Sequence, residues 1–133
     1  MTNQELLNLA INARKDSYTP YSKFSVGAAL LTADGKVYTG ANIENAAYTP
    51  TICAERVAFF KAVNAGERHF TKIAISGGKD QQPVFCAPCG VCRQVMAEFC
   101  KDDFVIVLGT PDNIKTYTLP QILPDYFGPK DLN

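Results

Sequence analysis

The 133-residue sequence has no tryptophan, a single histidine and two methionines, and its thirteen basic and thirteen acidic side chains cancel. A zero balance leaves no electrostatic footprint for a phosphodiester backbone or an acidic bilayer, so neither nucleic acid nor a membrane is an expected partner. No apolar run approaches the roughly 20 residues of a membrane span. The opening Met1-Thr2-Asn3-Gln4-Glu5 lacks the basic start of a secretory signal, and the expectation is a cytoplasmic chain. The lone His69 stands in a polar Gly66-Glu67-Arg68-His69 connection, so it reads as a solvated loop residue. Any metal site must therefore lean on thiolates. Internal repeats, low-complexity tracts and charge blocks are also missing, which argues against solenoids and disordered tails.

What is present suits one globular domain spanning residues 1–133. Hydrophobic residues make up 47 % and aromatics 11 %, and a chain of this length buries about two thirds of its unfolded surface without needing disulfides. Five cysteines occupy positions 53, 86, 89, 92 and 100. Clustered thiols in a reducing compartment read as metal ligands or redox groups before they read as disulfides.

Leu6, Leu7, Leu9, Ala10 and Ala13 recur at helical spacing, predicting an amphipathic helix over about 3–17. Apolar stretches at 26–31 and 36–40 flank Ala33-Asp34-Gly35, whose Asp-Gly pair marks a hairpin. A loop over 42–51 leads into a helix over 52–65 that Gly66 ends. A β-branched strand follows at 72–76, closed by Gly77-Gly78. Then come a helix over 89–99, a buried strand at 104–108 and a last strand at 116–119. Phe59, Phe60, Phe85 and Phe104 read as core. The order predicts an α/β fold, a mixed five-stranded sheet sandwiched between helices in three αβα layers.

Two segments carry the chemistry: Thr51-Ile52-Cys53-Ala54-Glu55-Arg56 and Pro88-Cys89-Gly90-Val91-Cys92-Arg93-Gln94. Each puts cysteine at the start of a predicted helix, where free N–H groups and the macrodipole favour the thiolate that binds zinc. Cys89 and Cys92 are three apart and share one face of the first turn. Three protein ligands, Cys53, Cys89 and Cys92, leave the fourth tetrahedral corner of a zinc open, as catalytic zinc requires. Glu55 lies within the same turn as Cys53 and can move a proton to and from water activated there. Zinc with three thiolates and a hydroxide carries about two negative charges, which are costly to bury. Arg56, one turn beyond Cys53, reads as the donor that offsets them. Arg93 lies beside the second pair.

Cys-x-Glu followed by Pro-Cys-x-x-Cys is the pattern of the zinc deaminases. Cys86 leaves an alternative pair, Cys86 with Cys89. Pro88 before Cys89 and Arg93-Gln94 after Cys92 favour the pair Cys89 and Cys92. A closed structural site from Cys86, Cys89, Cys92 and Cys100, which ignores Cys53, is a rival. A thiol–disulfide oxidoreductase built on Cys-x-x-Cys is another.

The sequence resembles the small, homotetrameric, three-cysteine cytidine deaminases. The likeness runs from Tyr21-Ser22-Lys23-Phe24-Ser25-Val26-Gly27 through Gly40-Ala41-Asn42-Ile43-Glu44-Asn45-Ala46-Ala47-Tyr48 and both cysteine segments to Leu123-Pro124-Asp125-Tyr126-Phe127-Gly128-Pro129. The resemblance implies hydrolytic deamination of cytidine and 2′-deoxycytidine in pyrimidine salvage, with one zinc per subunit and Glu55 as proton shuttle. It further implies that Phe24 packs on the pyrimidine and that Asn42 and Glu44 bond the ribose. Ala54 presents backbone to the base. Phe127 and the loop bearing Ala46 and Tyr48 close a neighbouring subunit's pocket in a homotetramer.

Overall fold

The computed structural model describes residues 1–133. Helix α1 spans Asn3–Ala13 and starts at a capping box. The Glu5 N–H donates to Thr2 Oγ1 at 3.1 Å, and the Thr2 N–H donates to Glu5 Oε1 at 2.8 Å. These reciprocal bonds satisfy two amides that a helix start otherwise leaves free. The last predicted turn tightens into a 3-10 helix over Arg14–Asp16.

Strands β1 (Ser25–Thr32) and β2 (Val37–Ala41) form the expected hairpin. Helix α2 (Ala54–Asn64) precedes β3 (Phe70–Gly78), and α3 (Gly90–Phe99) precedes β4 (Val105–Thr110). Strand β5 (Asn113–Thr118) is followed by a one-turn helix α4 (Leu119–Ile122). The sheet order is β2-β1-β3-β4-β5, antiparallel except where β3 meets β4. No helix is long and apolar enough to cross a membrane.

Strand alternation sorts side chains into two layers. Ala29, Ala74 and Val107 pack against Leu6, Leu7 and Ala10 of α1 on one face. Ala28, Leu30, Ile73, Ile75, Ile106 and Leu108 meet Ala58, Phe59 and Met96 of α2 and α3 on the other. This is the expected mixed five-stranded sheet between helices. Phe59 sits at its centre, edge-on to Phe70 at 5.3 Å and stacked on Phe99 at 6.1 Å.

The topology places the reactive ends. Because β3 and β4 are parallel and each follows its helix, α2 and α3 run the same way, with both N-termini at the same edge of the sheet. Helix α2 approaches the sheet closely there. A Cβ on Gly40 would lie 2.5 Å from the Ala54 carbonyl oxygen and 2.6 Å from the Ala58 nitrogen. Only glycine admits the first turn of α2 at that height.

Several sequence expectations shift. Gly77 and Gly78 do not close β3 but continue it, paired with Val26 and Ser25. Strand β5 begins at Asn113 rather than 116, and its exposed edge position gives it no clear apolar alternation. Helix α4 occupies Leu119, where the strand was expected to end. Phe60 and Phe85 are not core, at 41 % and 49 % exposed. Phe60 falls on the outer side of α2, and Phe85 lies in the connection before α3. Phe59 and Phe104 are fully buried as expected.

Candidate metal centre and pocket

Cys53 is the N-cap of α2 and Cys89 the N-cap of α3, both with extended backbone. Cys92 lies in the first turn of α3 and is fully buried. The three Sγ atoms all lie within 4.8 Å of one another, with Cys53 and Cys89 at 3.7 Å. Sulfurs at the usual ~2.3 Å from a tetrahedral zinc stand about 3.8 Å apart, so this trio fits the ion in both chemistry and spacing. Cys86 and Cys100 are outside the cluster. That removes the Cys86–Cys89 alternative and the closed four-cysteine site, and it leaves Cys53 as a full member.

Charge at the trio is already arranged for a cation. A hydrogen bond from the Cys92 thiol, followed by Arg56, pulls Cys53 down to about 5. The same bond and burial push Cys92 up. Arg56 Nη2 donates to Cys53 Sγ across 3.4 Å, and its Nε is buried without a protein partner. Arg93, the other arginine beside the ligands, behaves differently. Its Nε and Nη1 donate to the carbonyls of Pro88 and Ile122, at 2.8 and 2.6 Å, rather than to sulfur.

Glu55 is 3 % exposed, and burial pushes its carboxyl up to about 7, with the Cys53 charge adding to the rise. A carboxyl poised near neutrality can both accept and return a proton. It lines a 150 Å³ cavity together with Cys53, Cys89, Ala54, Asn42 and Glu44. Val26, Thr51, Ile52, Cys86 and Ala87 complete that wall. Sequence reasoning assigned none of these five to the pocket. Val26, Thr51 and Ile52 stand inside the segments singled out above, but as strand, loop and helix-start residues with no reactive group they gave no sign of forming the wall.

The other expected residues divide. Asn42 Oδ1 accepts from the Val26 N–H at 2.9 Å and its Nδ2 donates to the Phe24 carbonyl at 2.9 Å, so this side chain also holds the start of β1. Glu44 Oε1 accepts from the Tyr21 and Ser22 N–H groups at 3.0 and 3.2 Å, and bonding to Ser22 holds its carboxyl below the usual range. Phe24, expected against the pyrimidine, is not among the residues that line the cavity. A Cβ on Gly77 would come within 2.8 Å of both the Phe24 ring and Cys86 Sγ, so glycine there lets ring and thiol close on the sheet. Tyr48, with Tyr21, Ser22, Glu44, Asn45 and Thr51, lines an adjoining open hollow of 440 Å³. Ala46 is exposed on the same loop, and Tyr48 holds a left-handed backbone at φ 64°. Phe127 lines neither space and is 58 % exposed.

A buried carboxyl set among three thiols at paired helix starts, on an αβα sheet, defines a zinc-dependent hydrolase. Residues 1–108 match the family described as "Cytidine and deoxycytidylate deaminase zinc-binding region". The cytidine deaminase of Halalkalibacterium halodurans is 48 % identical over the whole of this chain and 99 % of its own length. A probable cytidine deaminase of Dictyostelium discoideum is 44 % identical over 98 % of this chain and 89 % of its own. The crystal structure of cytidine deaminase from Burkholderia pseudomallei superposes with a TM-score of 0.88 at 45 % identity, covering 96 % of this chain and 100 % of that one. That from Mycobacterium tuberculosis gives 0.82 at 34 % identity, covering 96 % and 98 %. The chain belongs to the cytidine deaminase family.

Proposed function

We propose that this chain hydrolyses cytidine and 2′-deoxycytidine to uridine and 2′-deoxyuridine, consuming water and releasing ammonia. The single observation that carries this reading is the buried Glu55 carboxyl, poised near neutral pH beside three convergent thiols at the floor of a cavity. Cys53, Cys89 and Cys92 would hold one zinc, which when bound would supply the Lewis acidity that makes water a nucleophile near neutral pH.

Glu55 takes one proton of the attacking water and passes it to ring N3 as the C4–oxygen bond forms. It then takes the remaining hydroxyl proton and delivers it to the amino nitrogen as the C4–N bond breaks, leaving the C4 carbonyl and free ammonia. Its burial excludes bulk water from that transfer. Arg56 sets positive charge against the ligand sulfurs and keeps the anionic cluster tolerable in a dry site. Asn42 and Glu44 meet the sugar hydroxyls: each has polar capacity left after its backbone bonds, and each lines the cavity. Phe24 backs the pyrimidine, and Ala54 at the start of α2 offers backbone to the base.

The 150 Å³ cavity adjoins the open 440 Å³ hollow that shares Glu44 and Thr51 with it, and a bound small molecule usually has most of its surface enclosed, which leaves room for further walls. The exposed Phe127 and the loop with Ala46 and Tyr48 supply them to a neighbouring copy in a homotetramer. Zero net charge favours a free nucleoside over a polynucleotide. Mixing the purified chain with cytidine tests the reading. The expected result is loss of the aminopyrimidine absorbance with equimolar ammonia, abolished by a zinc chelator and restored by zinc. No ammonia from either nucleoside would refute it.

A further inference from the structure

The two side chains that follow Cys92 are not consumed by the chemistry above. Arg93 donates to the carbonyls of Pro88 and Ile122. Gln94 Nε2 donates to the Phe127 carbonyl at 2.7 Å. The start of α3, which presents two of the three thiols, therefore grips both ends of the strap 122–127. The strap is stapled once more at Tyr126, whose hydroxyl donates to Asp102 Oδ1 at 2.5 Å. The Tyr126 ring also carries Lys130 Nζ at 4.3 Å. Leu123 and Tyr126 pack against the larger core, and Asp125 turns the chain at φ 51°. These anchors draw Tyr126 inward and leave the neighbouring Phe127 ring facing out.

An aromatic ring left in water while its own backbone is fixed is poorly used within one chain. It is well used against a second chain, because a ring already held in place loses little freedom on docking. We propose that Gln94, with Arg93 behind it, is a positioning residue. The turn that supplies two metal ligands in one subunit sets Phe127, and through it completes the nucleoside pocket of a second copy. This rests on the reading of Phe127 as a neighbour's wall.

Loss of the Gln94 donor loosens the wall without touching metal or proton transfer, so it raises KM and spares kcat. The experiment compares Gln94→Glu, Phe127→Ala and the double variant for KM and kcat with cytidine and for zinc content. Gln94 is exposed and glutamate is its isostere without the donor; Gln94→Met serves in the same cycle if the acid does not fold. Gln94→Glu is expected to raise KM by about five-fold, the worth of one neutral hydrogen bond, and Phe127→Ala by at least as much through loss of the ring, with kcat and zinc unchanged in both. The double variant should resemble the larger single effect, since the two residues act through one ring. Multiplying KM effects, or lost zinc or kcat in Gln94→Glu, would overturn the latch. So would a silent Gln94→Glu alongside a raised KM in Phe127→Ala, which leaves the neighbour's wall standing. A silent Phe127→Ala would remove that wall and the latch with it.

Discussion

The Arg56 guanidinium donates to the sulfur of Cys53 across 3.4 Å, one helical turn further along α2. This bond ties the only ligand outside the Cys-x-x-Cys pair to a fixed positive charge, and desolvated thiolates need such a partner. Replacing Arg56 with glutamine keeps length and polarity but removes the charge. The expected outcome is faster zinc loss to a competing chelator and reduced activity, with the fold retained by circular dichroism. Zinc retention equal to that of the parent would show that the charge does not hold the metal.

Glu55 stands between that arginine and the ligand in sequence, yet it is not among the convergent metal-binding groups. Glu55→Gln is therefore expected to keep one zinc per chain while kcat falls by about 10²- to 10⁴-fold, the usual worth of a positioned general base. Zinc stoichiometry and steady-state rate, measured on one preparation, check it. Turnover near the parent rate would take the carboxyl out of the reaction.

The five cysteines are expected to separate into two groups. Cys53→Ala should lose the metal, because it removes one corner of the trio. Cys86→Ala and Cys100→Ala should keep it. Burial pushes the Cys86 thiol up to about 11 and raises Cys100 as well, so both stay protonated near neutral pH and react slowly with alkylating agents. Zinc analysis of the three variants decides the matter. Metal loss in Cys100→Ala with retention in Cys53→Ala would restore the closed four-cysteine site.

Phe59 is wholly buried and meets Phe70, Phe99 and Phe104. Truncation to alanine opens a cavity at the junction of α2, α3 and the sheet. Denaturant unfolding should show a loss of about 3–5 kcal/mol, the range for a large aromatic removed from a packed core. Phe60→Ala, one position on but half in water, should cost far less. Equal losses at the two positions would contradict the observed facing of α2.

The contrast between these two phenylalanines marks what periodicity can convey. A largely apolar helix announces burial without saying which flank faces the sheet, and Phe59 and Phe60 look alike until the sheet is in place. Strand β5 was legible only in part, since an edge strand buries little and shows weak alternation. Helix α4 is a single turn, too short for any periodic signal, and its Thr118 and Gln121 capping box is evident only in retrospect.

The sequence by itself determined the metal chemistry of the trio. Cys-x-Glu and Pro-Cys-x-x-Cys are local patterns, and a helix start orients its first turn the same way wherever it lies. The mixed sheet was equally readable, because strand and helix alternation depends on neighbouring residues. Only the tertiary structure brought Cys53 against Cys89, since that contact depends on β3 and β4 being parallel, a pairing between distant segments that no local pattern encodes. Arg56 was legible as a donor to sulfur from its place one turn past Cys53, but only the tertiary structure showed that Arg93 turns to carbonyls instead, for an arginine's reach lets neighbouring carbonyls compete with a ligand for its donors. The tertiary structure alone, too, gave Cys86, Val26 and Thr51 their places in the wall, because a cavity is made by residues from separate elements whose side chains meet only after folding.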